Sequence, residues 1–199
     1  MLLQSELARD PEADPQAASQ KVRSLHPMLG WICCISVVGA NPDGSLRTPV
    51  SFTAAGPDEE EALLRAFWDR VGRLERYRVT WVTFNGKAFD AEFLRTRSLV
   101  WELIPPRLDL FDDYLYGFHP HCDLKCLWRR SAVRLEDVCD LLGVPSPKQE
   151  MNGDGVCAAL QAGDLDAVRR YCEADAVATL RCFQRLRPVI PFRRQPSPA

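Results

Sequence analysis

Asp175 lies in "YCEADAVATL", within a stretch whose apolar residues Leu165, Val168, Cys172, Thr179, Phe183 and Leu186 recur at helical spacing. Positions three or four apart share a helix face, so a carboxylate between Cys172 and Thr179 points where its apolar neighbours point, toward the interior. A charge there calls for a task or a partner. Asp90 offers a companion: it follows "RVTWVTFNG", which reads as a strand ending at Phe84, and in α/β sheets ligands gather beyond strand ends. Each residue also has an ordinary reading. Asp175 can sit at the edge of the stripe with Ala176 in the buried slot, and Asp90 can be a first-turn acid favoured by the helix dipole. Tyr171 can fill the core with its hydroxyl at the surface, and Asn85-Gly86 can be a turn and nothing more.

A second group of donors is His119, His121, Cys122 and Cys126. Pro120 interrupts it and no second cluster completes four ligands, so zinc is not expected. Several of the eight cysteines fall at apolar positions of expected strands or helices without zinc-type spacing, and they read as reduced core thiols.

These residues need elements to position them. Residues 1 to 27 are polar, contain Pro11 and Pro15, and read as an irregular N-terminal segment. "GWICCISVVG" and "SLRTPVSFTA" flank "NPDG" and predict an antiparallel hairpin. "GPDEEEALLRAFWDRVGRLERY" has acids in its first turn and an apolar stripe at Leu63, Leu64, Phe67, Trp68, Val71 and Leu74, which predicts a helix. The strand through Phe84 ends in Asn85-Gly86, a dipeptide suited to positive φ, and "AFDAEFLRTRSL" returns to helical spacing. One of "RLDLF" and "HCDLKCLW" should supply a further strand. "LEDVCDLLG", closed by Gly143, and "GDGVCAALQAG" read as short helices, and a long helix from Asp164 to Arg187 stops at Pro188. Hairpin, helix, strand, helix, strand, helices is an α/β order, with an expected domain over 28–188 and a tail over 189–199.

Composition narrows the function classes. A chain of 199 residues with 46% hydrophobic content can bury one substantial core. A net charge of −2 argues against a strongly basic nucleic-acid-binding surface, but leaves room for a local basic groove among Arg65, Arg70, Arg73, Arg76, Arg95, Arg97, Arg129, Arg130 and Arg134. No basic start followed by an apolar core marks a signal peptide, and the longest apolar run, "WICCISVVGA", is far below the roughly 20 residues that span a bilayer. A soluble cytoplasmic protein with no membrane partner is expected.

"TFNGKAFDAEFL" and, further along, "YCEADAVATL" resemble the second and third exonuclease motifs of the DEDD superfamily, in its tyrosine variant. With "HCDL", "LLGVPSPK", "MNGDGV" and "LQAGDLDAVRRYCEAD" between them, the chain is similar from about Leu25 to Leu186 to the predicted 3′-5′ exonucleases related to the proofreading domain of family-B DNA polymerases. The resemblance implies an α/β, ribonuclease H-like mixed sheet flanked by helices and a phosphodiester hydrolase that uses two divalent cations. Attack of water on a phosphodiester builds negative charge on entering and leaving oxygens, and two cations about 3.5–4 Å apart stabilise both. Hard cations such as Mg2+ or Mn2+ take oxygen ligands. Asp90 and Asp175 would be those ligands, and Tyr171, one turn before Asp175, would orient the attacking water. Asn85 and Phe89 would hold the loop and contact the terminal nucleotide, Phe89 by packing or stacking. The implied partner is a nucleic acid with a 3′ end, single-stranded DNA foremost. Asp123 in "HCDL" could be taken as a third ligand, but the resemblance implies that this stretch is structural, and Lys87 and Lys125 read as solvated lysines.

One part of the pattern is missing. The family's first motif, Asp-x-Glu on the opening strand, should precede the hairpin, and the chain offers only Asp10-Pro11-Glu12, whose proline and polar flanks are unsuited to a central strand. The expected sheet therefore lacks its usual first strand. Three explanations compete: a shortened start, loss of catalysis with a retained nucleic-acid or protein-binding role, or substitution by distant acids. Loss of a central strand predicts unpaired backbone and exposed apolar surface.

Overall fold

The structure, a computed structural model, describes residues 24–74, 77–147 and 153–192, leaving out the side chains of 153 and 154. The expected irregular segment lies outside the described residues up to 23, as do Asp10-Pro11-Glu12 and the end of the tail from 193. The described chain is mixed α/β, with five α-helices and four short strands.

The hairpin forms as its residues dictate. Strand β1 (Cys34–Val37) pairs antiparallel with β2 (Val50–Thr53), in a register that sets Ser36 opposite Ser51. Between them the chain turns at Gly44, φ 86°, with Asn41 accepting from the Gly44 N–H at 2.9 Å. Helix α1 (Glu60–Gly72) buries Leu63, Leu64, Phe67, Trp68 and Val71 along one stripe, each worth about 1.5–3 kcal/mol removed from water. Strand β3 (Trp81–Thr83) then leads into a turn and α2 (Asp90–Val100). Of the two candidates for the next strand, "HCDLKCLW" supplies it: β4 (His121–Asp123) pairs parallel with β3, while "RLDLF" holds only a 3-10 turn at Asp109–Phe111. Helix α3 (Leu135–Leu142) ends at Gly143, φ 62°, the left-handed cap that glycine adopts without strain. Helix α4 (Gly153–Gln161) precedes α5 (Leu165–Leu186), whose Asp164 side chain caps the Ala167 N–H at 2.9 Å. Beyond α5, Ile190 is buried and Phe192 packs edge-on against Phe183.

The strands separate two apolar clusters. Ile35, Val37, Phe52 and Trp81 pack with the stripe of α1 and with Phe93 and Leu94 of α2. Val82 and Phe84 face the other way, onto Val138 and Cys139 of α3 and Ala178, Cys182 and Leu186 of α5. In place of the single mixed sheet expected from the sequence there are two two-stranded sheets, β1–β2 and β3–β4. Among the described residues no strand pairs with the second edge of β1 or of β3. Helix α5 packs on both sheets and joins them, its Glu173 accepting from Ser51 Oγ at 2.7 Å. Strands central to an α/β sheet are covered on both faces; here every residue of β1, β2 and β3 is only half-buried. No described helix is long and apolar enough to cross a membrane.

Candidate active site

The site is built from the turn after β3. Asn85 takes φ 68°, as its dipeptide allows, and the next position must be glycine, because a Cβ at Gly86 would stand 2.4 Å from Thr83. The turn is pinned from β4 by Asp123, a buried carboxylate. Its Oδ1 accepts the N–H of Asn85 at 2.8 Å and of Lys125 at 3.0 Å, and its Oδ2 accepts the Lys87 N–H at 3.0 Å. With its oxygens turned to three backbone donors, Asp123 is a fastening for the loop, as the resemblance implied.

Lys87 departs from expectation. It is buried, and its Nζ donates to Asp112 Oδ2 at 3.0 Å, Tyr114 O at 2.7 Å and Gly117 O at 3.2 Å. A lysine that looks solvated in sequence is drawn inside because three acceptors from a segment 25 to 30 positions away replace its water. Lys125 is half-buried.

From this turn Asp90 opens α2 and Phe89 precedes it, 36% exposed with its ring 4.9 Å from Phe93. Asp175 enters from the middle of α5, half-buried with Ala176 and Val177. Asp90 keeps accessible surface although protein crowds its carboxyl, so the charge is only partly solvated. Its pKa is pushed up from 3.8 to about 6, first by that desolvation and then by the charges of Asp123 and Asp175, against a lowering hydrogen bond from its own backbone N–H. Because water does reach the residue, both the desolvation and the screened repulsion from the two neighbouring carboxylates act on it at less than full strength. Tyr171 lies one turn before Asp175, close enough for the carboxylate to act on its phenol. Burial, foremost, and the Asp175 charge raise the phenol well above its ordinary value. Glu136 of α3 also acts on Tyr171, a proximity between separate helices that no local pattern announces.

The structure thus brings Asp90, Asp175 and Tyr171 together, with Asn85 and Phe89 on the adjoining turn. The other candidate donors disperse. His121 is fully buried, with Nδ1 2.8 Å from Leu110 O and Nε2 2.8 Å from Thr83 Oγ1. His119 Nδ1 lies 3.2 Å from Thr80 Oγ1, and Cys122 and Cys126 are core residues. Cys139 and Cys182 also meet in the core, as free thiols 3.7 Å apart.

Asp90 and Asp175 are hard oxygen donors whose charges oppose each other, and one hard cation completed by water fits that pair. A second cation finds no further free carboxylate at this point among the described residues. Asp123 has its oxygens committed, and among the described residues no group of three or more His, Cys, Asp or Glu is placed to hold a metal ion.

A family model described as "Predicted 3'-5' exonuclease related to the exonuclease domain of PolB" matches residues 25–190 of the chain. No curated protein and no solved structure matches it.

Proposed function

The chain belongs to the family of predicted 3′-5′ exonucleases related to the exonuclease domain of PolB, and from that premise we propose that it is a ribonuclease H-like domain that engages nucleic-acid 3′ ends, single-stranded DNA first. Asp90 and Asp175 are its ligands for Mg2+ or Mn2+. The observation that carries the proposal is the meeting of Asp175 with both Asp90 and Tyr171: crowding by protein foremost, and then the charges of Asp123 and Asp175, raise the Asp90 carboxyl, and a cation at the pair would offset both. Bound there, a divalent cation supplies charge neutralisation and a more acidic water.

The remaining steps belong to side chains. Tyr171, with its pKa raised, keeps its proton at neutral pH and is no general base. Its part is to orient the attacking water by hydrogen bonding while Asp175 holds the hydroxyl in place. Asn85, held by Asp123, fixes the turn so that the exposed Phe89 ring meets the terminal nucleotide.

A second reading, a non-catalytic nucleic-acid-binding or interaction module on the same fold, is favoured by one observation. A two-cation centre needs more carboxylates than the described residues bring to this point. Digestion of 3′-labelled single-stranded DNA with Mg2+ or Mn2+ separates the two. The enzyme reading expects slow, cation-dependent release of label that Asp175→Asn abolishes. Equal release by that variant would reject the site, and no release by a folded parent would leave the binding module.

A further inference from the structure

Between the 3-10 turn at Asp109–Phe111 and β4, the chain carries three large side chains out to solvent: Tyr114 51% exposed, Leu115 47% and Tyr116 64%. This loop is firmly built. Inside it sits the buried Lys87 ammonium, bonded to Asp112 and to the carbonyls of Tyr114 and Gly117, while the Lys87 backbone is tied to Asp123. Burying an ammonium is costly, and here the cost secures the shape of a surface loop and locks it to the turn that carries Asn85 and Phe89. Arg129 closes the loop from outside. Its guanidinium lies 3.9 Å from the centre of the Tyr116 ring and donates to Leu115 O at 2.9 Å. Tyr114 and Tyr116 stand with ring centres 5.8 Å apart.

A groove of about 170 Å³ joins this loop to the turn before Asp90, with Asn85, Leu115, Asp123, Lys125, Trp128 and Arg129 along its walls. Arg130 is exposed beside Arg129, Asp112 is paired with Lys87, and Asp113 is the remaining exposed acid of the loop. With Asp123 turned to its three backbone donors, Lys125, Arg129 and Arg130 outnumber Asp113 and Asp123, a small positive balance on a chain of net charge −2. Rigid exposed aromatic rings, a guanidinium stacked on one of them and flanking cations are the parts that hold unpaired bases and their phosphates.

We propose that the Tyr114–Tyr116 loop with Arg129 and Lys125 is a platform for single-stranded nucleic acid, which stacks its bases on the rings and leads the strand along the groove to Asn85 and Phe89. The platform rests on the reading of Asp90 and Asp175 as the reacting end, yet it binds without a cation. A duplex, whose bases are already stacked on each other, gains little from it.

Fluorescence anisotropy of a labelled single-stranded DNA 12-mer, with EDTA present so that no strand is cut, tests the platform apart from the chemistry. Tyr116→Ala and Arg129→Ala should each weaken binding about ten-fold, in line with the loss of one stacked base, Tyr116→Phe should restore it, and affinity for the duplex of the same sequence should hardly move. Arg129→Ala should also lower the slope of log K against log salt by about 0.7. Unchanged single-strand affinity in both alanine variants, equal losses on duplex, or no binding by the parent would each overturn the platform. Failure of the cation site shows elsewhere, as hydrolysis that ignores Asp175→Asn while the anisotropy differences stand.

Discussion

Glu60 and Asp90 are each the first residue of a helix, α1 and α2, and each satisfies the same local preference for an acid in the first turn. Their surroundings differ completely. Glu60 is fully buried and fully answered: it accepts the Ile32 N–H at 2.7 Å, the Arg97 guanidinium at 2.6 to 3.1 Å and the Trp101 indole N–H at 2.8 Å. It ties the chain entering β1 to both α1 and α2. Asp90 keeps its accessible surface, and the charges acting on it are those of Asp123 and Asp175. A carboxylate matched by donors holds a fold together, whereas one set among other carboxylates is a standing invitation to a cation.

The contrast can be broken most forcefully at Glu60. Glu60→Ala leaves the Arg97 charge and two N–H donors without their acceptor, and should cost about 3–5 kcal/mol in urea unfolding; a loss below about 1 kcal/mol would mean that the corner is not structural. Asp123→Ala strands the N–H groups of Asn85, Lys87 and Lys125 and should cost about 2–3 kcal/mol, with faster amide exchange across residues 85–87 as the local signature.

Asp90→Asn should act in the opposite direction. Its folded carboxyl titrates near 6 against 3.8 when unconstrained, so the folded state binds the extra proton between those values. The ionised form therefore weakens the fold above pH about 6, and the penalty fades as pH falls toward about 4. With allowance for water around an accessible residue, the variant should gain about 1 kcal/mol at pH 7 and nothing below pH about 4. Millimolar Mn2+ should stabilise the parent and not the variant. A variant that is less stable at neutral pH would place Asp90 in the same class as Glu60. The smallest effect on stability belongs to Tyr171→Phe, within about 1 kcal/mol, while hydrolysis, where measurable, should fall about 100-fold.

What could be read from the sequence follows the range of the interactions involved. The hairpin, the stripe of α1, the positive φ of Asn85 and the Gly143 cap rest on residues a few positions apart, and all formed as their types require. In α5 the stripe held at Val168, Thr179 and Leu186, but Cys182 took the buried slot assigned to Phe183 and meets Cys139 of α3 there, with Phe183 half-buried beside it. Lys87 could not be read, because its acceptors lie 25 to 30 residues away in a segment with no regular structure. Asp123 was half legible: its bond to the Lys125 N–H is a local turn pattern, whereas its grip on Asn85 and Lys87 crosses from one strand to its neighbour.

The sequence by itself determined where most helices and strands form and, through its spaced motifs, the family, and it singled out Asp90 and Asp175 as the pair to propose, because periodicity, turn chemistry and motif order are properties of the chain taken in line. Only the tertiary structure decided which acids are satisfied and which are crowded, that the strands divide into two sheets joined by α5, and that a buried lysine shapes an aromatic surface beside the site. Those outcomes depend on the distance between charged groups and on the water they lose, quantities that exist only once the chain has folded.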